Sequence, residues 1–392
     1  MTRSLASFYR GKTVLVTGHT GFKGSWLSVM LKSLGARVVG FALAPPAGEP
    51  SMYRDAGVGR GMTSITGDVR DAAALAAAVR AFEPQVVLHL AAQPLVRGGY
   101  RDPVGTYATN VMGTVHVLEA VRRAPSVRSV VVVTTDKVYE PDPRGLPFRE
   151  ADRLGGPCPY SSSKAAAEMV ASAYRASYFS GGRGSPGLAT ARAGNVIGGG
   201  DWAGERVVPD LVRAVAAKKP LVLRNPGAVR PWQHVLEPLR GYLMLAARLA
   251  TDGAGSAGAW NFGPRDEDAV PVGELAERFA AGWGGDAVRV VVRPDPQGGH
   301  ETPVLRLDRR KARARLGWDP LLSLDEAVGL TVDWYRAWLH DPADAETATE
   351  EQVAAYLARA AAAPPARVVR PGGLFRAPAD QPDEPLPVTG EA

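Results

Sequence analysis

Residues 12–35 read KTVLVTGHTGFKGSWLSVMLKSLG, and few folds accommodate that order of events. A short apolar run (12–18) breaks into three glycines spaced three apart, Gly18, Gly21 and Gly24. A segment with helical spacing (24–35) follows and ends on glycine. A strand turning sharply into a helix is half of a β-α-β unit, because parallel strands need a crossover connection. The pattern recurs. ARVVGFAL (36–43), TSITGD (63–68), QVVLHLAA (85–92) and SVVVVTT (129–135) read as further strands, with helices over 71–82 and 104–124. Near-continuous apolar strands are buried on both faces.

The expected fold is therefore α/β, a doubly wound parallel sheet (Rossmann-type) with a smaller C-terminal substrate-binding lobe. The boundaries read as 1–190 for the dinucleotide-binding unit, with a returning segment near 229–260, and 191–340 for the lobe. Residues 341–392 form an extension in which 345–362 suit an exposed helix and 363–392 a disordered tail rich in Ala, Pro and Glu.

Charge excludes several classes. There are 46 Lys+Arg against 40 Asp+Glu, a net charge of +6 with no long basic block, so nucleic acid is not an expected partner. One cysteine, Cys158, excludes an intrachain disulfide framework and a cysteine-based zinc site, and no metal is expected. No apolar signal core opens the chain and no run of eighteen apolar residues follows, so a soluble cytoplasmic protein off the membrane is expected.

Three stretches carry chemistry. In TGHTGFKG the glycines let the backbone turn and approach a pyrophosphate, whose charge the helix N-terminus stabilises. Gly18, Thr20, Gly21, Phe22, Lys23 and Gly24 are accordingly candidate cofactor contacts. Asp68, with Val69 beside it, ends a strand and could reach the adenine, or else cap the helix that starts near Asp71. Leu90, Ala91 and Ala92 put small residues at another strand end, where a cofactor could pass closely. The acid that usually follows the second strand is missing, since that strand runs into GFALAPPAG. In PYSSSK, Tyr160 and Lys164 stand four apart and share a helix face. A nearby ammonium favours the phenolate, which predicts a Tyr160 pKa lowered towards neutrality and a usable base. In VVVTTDKVYE (131–140) a buried strand delivers Asp136 and Lys137 side by side, which is either a solvated strand end or an acid and a base.

TGHTGFKG, LHLAAQPLV, TNVMGT, TTDKVYE, PYSSSK, RAGNVIGGGDW and RPWQHVLEPL together resemble the extended short-chain dehydrogenase/reductase superfamily. Within it they are most similar to the CDP-glucose 4,6-dehydratase branch, over about residues 8–335. The resemblance implies NAD as cofactor, with Asn110 of TNVMGT among its contacts, and a CDP-hexose as substrate. It implies oxidation at C4, loss of water across C5–C6 and return of hydride to C6. Tyr160 would be the C4 base, Lys164 its electrostatic support and Thr135 a hydroxyl partner for the C4 oxygen. Asp136 would protonate the leaving hydroxyl. Lys137 stands where many related dehydratases have Glu. A lysine of ordinary pKa near 10.4 cannot accept a proton at pH 7. Either burial frees it to act as the C5 base, the favoured reading, or it stays charged and stabilises the enolate. Asn195 and Arg230 resemble diphosphate contacts, Gln93 could touch the hexose, and His300 and Glu301 are candidates near the ribose. His234 is expected to be a satisfied loop histidine. A homodimer is implied through a four-helix bundle of 104–124 and 160–178. The rivals are a nucleotide-sugar 4-epimerase, a dehydratase for another nucleotide hexose, or a non-catalytic NAD-binding regulator.

Overall fold

A computed structural model describes residues 4–180, 184–284, 289–293 and 303–363. Seven strands form one parallel sheet: β1 Thr13–Thr17, β2 Arg37–Ala42, β3 Thr63–Thr66, β4 Val86–His89, β5 Ser129–Val133, β6 Gly187–Ala193 and β7 Gly258–Phe262. Their spatial order is β7-β6-β5-β4-β1-β2-β3. The chain runs outward from β1 to β3, then crosses back to build β4 on the other side of β1, so the order reverses between β1 and β4.

The apolar strands divide their side chains by period two. Val14, Val16, Val131 and Val133 enter one core with Trp26, Leu239 and Tyr242. Leu15, Val130 and Val132 enter the other with Leu75, Val79, Leu118 and Val121. Helix α1 (Phe22–Ser33) covers the first face, and α2 (Ala72–Phe82) and α3 (Gly113–Arg122) the second. Asp71 caps α2 by accepting from the amides of Ala73 and Ala74.

The helix expected over 104–124 is broken. A turn at Pro103–Tyr107 passes into a π-helical turn, Ala108–Met112, before α3 begins. Helix α4 (Pro159–Ser177) runs beside it. Beyond β6 the chain makes short strand pairs, joining Val196–Ile197 to Gln233–His234 and Val229–Pro231 to Ala269–Pro271. A long helix, α5 (Leu236–Asp252), then packs back on the sheet and leads into β7.

The C-terminal helix, α6 (Asp344–Ala362), is not the exposed element expected. It buries Ala345, Val353 and Tyr356, and the Tyr356 hydroxyl donates to Glu237 Oε2 at 2.7 Å. Glu237 also accepts from the amides of Leu321 and Leu322, so one buried carboxylate ties α5 to the C-terminal segments. The stretch read as a tail lies outside the described residues beyond Ala363. Among the described residues, no helix is long and apolar enough to cross a membrane.

Candidate active site

A cleft of about 1460 Å³ runs along the C-terminal ends of the strands. Its walls follow the strands in turn: Gly18 after β1, Leu43 after β2, Asp68 after β3, Leu90–Ala92 after β4, Thr134–Lys137 after β5 and Gly194–Asn195 after β6. Open α/β sheets bind ligands at this edge, at the point where strand order reverses. The volume exceeds the roughly 300–1,000 Å³ of an ordinary small-ligand pocket and suits two ligands end to end.

The glycine loop fits a dinucleotide on its geometry. Gly18 has φ +77°, and a Cβ there would stand 2.7 Å from the amide nitrogen of Ala91. A Cβ at Gly24 would stand 2.1 Å from the carbonyl oxygen of Gly18. Helix α1 therefore starts hard against the strand end. Its N-cap, Gly21, offers no side-chain acceptor, which leaves the first-turn amides facing the cleft for an anion. Thr20 donates from Oγ1 to the carbonyl of Leu43 at 2.8 Å and ties this loop to the one after β2. Asp68 lines the cleft but is held by Arg70 at 2.6 Å, which keeps its carboxyl below the usual range; the capping job falls to Asp71. Val69 is buried and would block a Cβ at Gly113.

Thr135, Asp136, Lys137, Tyr160 and Lys164 line the same stretch of the cleft. Strand β5 ends at Val133, and Thr135 caps a short 3-10 turn, Asp136–Val138, by accepting from the amide of Lys137. Pro159 opens α4, so Tyr160 sits in its first turn and Lys164 one turn on. Lys164 donates from Nζ to the carbonyl of Val133 at 3.0 Å. Burial lowers its pKa to about 8, with Lys23 adding to the effect.

Tyr160 departs from expectation. Burial pushes it up to about 12, and the hydrogen bond to Thr135 and the charge of Arg206 offset only part of that. The Lys164 ammonium is turned to a backbone carbonyl, so the tyrosine is not ionised in the protein alone. Burial also raises Asp136, against the pull of Lys137, Thr135, Arg230 and Lys23. Thr135 donates to Asp136 Oδ1 at 3.0 Å, whereas Oδ2 is buried without a hydrogen-bond partner. A raised pKa in a cleft suits a general acid.

The other candidates divide. Asn195 and Arg230 line the cleft beyond Asp136, with Arg230 almost fully buried. Gln93 and Asn110 are not on its wall. The Gln93 amide is spent on Leu95 and Thr106, and Asn110 holds the backbone of Gln93 and the hydroxyl of Ser163, a shell behind the cleft. His234 is buried, its Nδ1 accepts from the amide of Leu236 at 3.4 Å and its Nε2 has no partner, so it is half satisfied. His300 and Glu301 lie outside the described residues.

Sequence reasoning missed Asp201 and Arg206. They pair at 2.8 Å on the cleft wall, and their spacing of five within GDWAGER was the available signal. It also missed the contact of Arg97 with Glu205 at 3.3 Å, which joins two loops lining the cleft.

Fold and cleft define an α/β enzyme that holds a dinucleotide beside a second ligand. Residues 14–263 match the NAD dependent epimerase/dehydratase family, and the chain belongs to that family. It is 47% identical over 336 residues to the CDP-glucose 4,6-dehydratase of Salmonella typhimurium, covering 85% of this chain and 93% of that one. A dTDP-glucose 4,6-dehydratase of Xanthomonas campestris pv. campestris is 27% identical over 337 residues, 82% of this chain and 93% of that one. Among solved structures, the UDP-glucose 4-epimerase of Thermus thermophilus in complex with NAD superposes with a TM-score of 0.70 at 28% identity, covering 83% of this chain and 99% of that one. The dTDP-glucose 4,6-dehydratase of Streptomyces venezuelae with NAD bound gives 0.69 at 27%, covering 83% and 97%.

Proposed function

We propose that the protein is an NAD-dependent CDP-glucose 4,6-dehydratase, forming CDP-4-keto-6-deoxyglucose and water. The observation that carries this reading is the meeting of two acid–base sets in one cleft, Tyr160 with Lys164 and Asp136 with Lys137. A 4-epimerase needs the first set only. Identity of 47% to the Salmonella typhimurium dehydratase supports the choice of CDP-glucose.

When bound in the glycine cradle, NAD supplies the acceptor for the C4 hydride and its return to C6. The chain moves the protons. Tyr160 takes the C4 hydroxyl proton once it has lost its own, a phenolate that the positive charges of bound NAD and Lys164 would favour, with Thr135 orienting the oxygen. The C4 ketone then makes the C5 proton acidic. Lys137, in its neutral form, removes that proton, and Asp136, whose carboxyl burial raises, gives its own to the departing C6 hydroxyl. Arg230 and Asn195 hold the diphosphate, a task suited to a planar guanidinium.

The enzyme is read as a cytoplasmic homodimer. Val104, Tyr107, Met112, Met169 and Tyr178 leave large apolar side chains exposed on the helices over 103–122, on α4 and at its C-cap, where a second copy would cover them. Incubation with CDP-, dTDP-, GDP- and UDP-glucose tests the function. Only CDP-glucose should give a 4-keto-6-deoxy product at a high rate, and a C4 epimer as the sole product would refute the reading.

A further inference from the structure

The buried ion pair between Glu168 and Arg192 has no part in the chemistry above, yet it joins α4, β6 and both ends of the Asp136–Lys137 turn. Both side chains are 3% exposed. Arg192, on β6, donates from Nε and Nη2 to the two oxygens of Glu168, on α4, at 2.9 and 3.0 Å. Thr134 and Thr190 each donate a hydroxyl to the same carboxylate at 2.5 Å. The remaining guanidinium nitrogen, Nη1, donates to the Tyr139 hydroxyl at 2.8 Å and to the carbonyl of Glu150 at 3.1 Å. Tyr139 in turn donates to Asn261 Oδ1 at 2.7 Å, its ring lies 4.9 Å from the guanidinium, and it stacks on Phe148.

Thr134 and Tyr139 are the residues immediately before and after the segment Thr135–Val138. Both ends of the turn that presents Asp136 and Lys137 are therefore fastened to one ion pair. The carboxylate of that pair sits one helical turn beyond Lys164 and two beyond Tyr160, on the same α4. We propose that Glu168–Arg192 is a positioning clamp, which fixes the Asp136–Lys137 turn relative to Tyr160 and Lys164 so that oxidation and elimination act on one bound sugar.

Packing alone needs no such pair. Replacing a buried pair by apolar residues is often neutral or stabilising, so its energetic contribution to the fold is small. Its geometric contribution is large: two threonines, a tyrosine and a backbone carbonyl converge on two fixed planar groups. The consequence for catalysis rests on the dehydratase reading. The mechanical claim, that the clamp holds the turn, does not.

Tyr139→Phe separates clamp from core, because the ring stack and the guanidinium contact survive and only the hydroxyl goes. In the protein without ligands, amide hydrogen exchange across 135–139 should quicken by about tenfold, with β1 and β4 unchanged. With CDP-glucose and NAD, elimination should slow by roughly tenfold to a hundredfold, since misplacement by about 1 Å costs that much. C4 oxidation, which depends on Thr135 alone among the residues of the turn, should slow less than elimination, so reduced cofactor accumulates on the enzyme at 340 nm. Arg192→Lys should quicken exchange across the same residues. Unchanged exchange in both variants, or equal slowing of the two half-reactions, would overturn the clamp. If the wild type leaves CDP-glucose untouched, the functional reading fails instead, and the exchange measurement alone decides the clamp.

Discussion

A Cβ built on Gly194 would stand 3.2 Å from Asp136 Oδ2 and 2.4 Å from Pro231 Cγ. The glycine thus keeps room between β6 and the Asp136 turn for a buried carboxylate oxygen that has no hydrogen-bond partner of its own. Gly194→Ala should push against Pro231, the neighbour of Arg230, and close that space. Overpacking of this kind costs about 1–3 kcal/mol. A fall in melting temperature should accompany a loss of turnover; unchanged turnover would mean that the space is not used.

The two half-reactions assign different work to neighbouring residues. Tyr160→Phe removes the C4 base and should abolish both reduced-cofactor formation and water loss. Lys137→Met should spare oxidation and slow elimination, on the order of 10²–10⁴-fold for a lost acid–base group. Stopped-flow absorbance at 340 nm, with product analysis, separates the two. Equal loss of both steps in Lys137→Met would remove the lysine from the elimination.

Asp136 gives a pH prediction with a definite sign. Its carboxyl is raised by burial, so the folded-state pKa lies above the unfolded one. The stability of the neutral acid is then complete below about pH 3.9 and is lost as pH rises through the folded value. Asp136→Asn keeps the neutral form at every pH. Its melting temperature relative to wild type should climb as the pH is raised across the weakly acidic range, while dehydration slows and oxidation survives. A difference independent of pH would mean that the carboxyl is not raised.

Much of this was legible in the sequence, and the rest fails for particular reasons. Apolar runs located β1, β2, β4 and β5 to within about three residues, because strands buried on both faces leave little else to read. The glycine spacing predicted the cradle, since only glycine fits the space left by Ala91 and by the carbonyl of Gly18. Apolar spacing could not show the π-helical turn at Ala108–Met112, which changes the hydrogen-bond partner without altering the pattern. The Tyr160–Lys164 spacing showed that they share a face but not how deeply the phenol is buried, and burial decides its pKa. The alanine-rich α6 has little amphipathic contrast, so Val353, Tyr356 and Leu357 were the main sign of its buried side. Tyr139 and Asn261 lie 122 residues apart, beyond any local pattern.

The exposed apolar residues predict assembly. Val104 is 78% exposed and Met169 57%, on adjacent helices. The wild type should sediment as a dimer at micromolar concentration, and the double variant Val104→Glu, Met169→Glu as a monomer. A monomeric wild type would leave these residues without a partner.

The central claim is that Asp136 and Lys137 carry out an elimination that an epimerase lacks. Turnover of CDP-glucose in deuterium oxide tests it most directly, because the proton returned to C5 comes from an exchangeable group. The product should be CDP-4-keto-6-deoxyglucose carrying one deuterium at C5 and a C6 methyl formed by hydride from C4, with no net consumption of NAD. A 4-epimer with no deuterium at C5 would contradict the account.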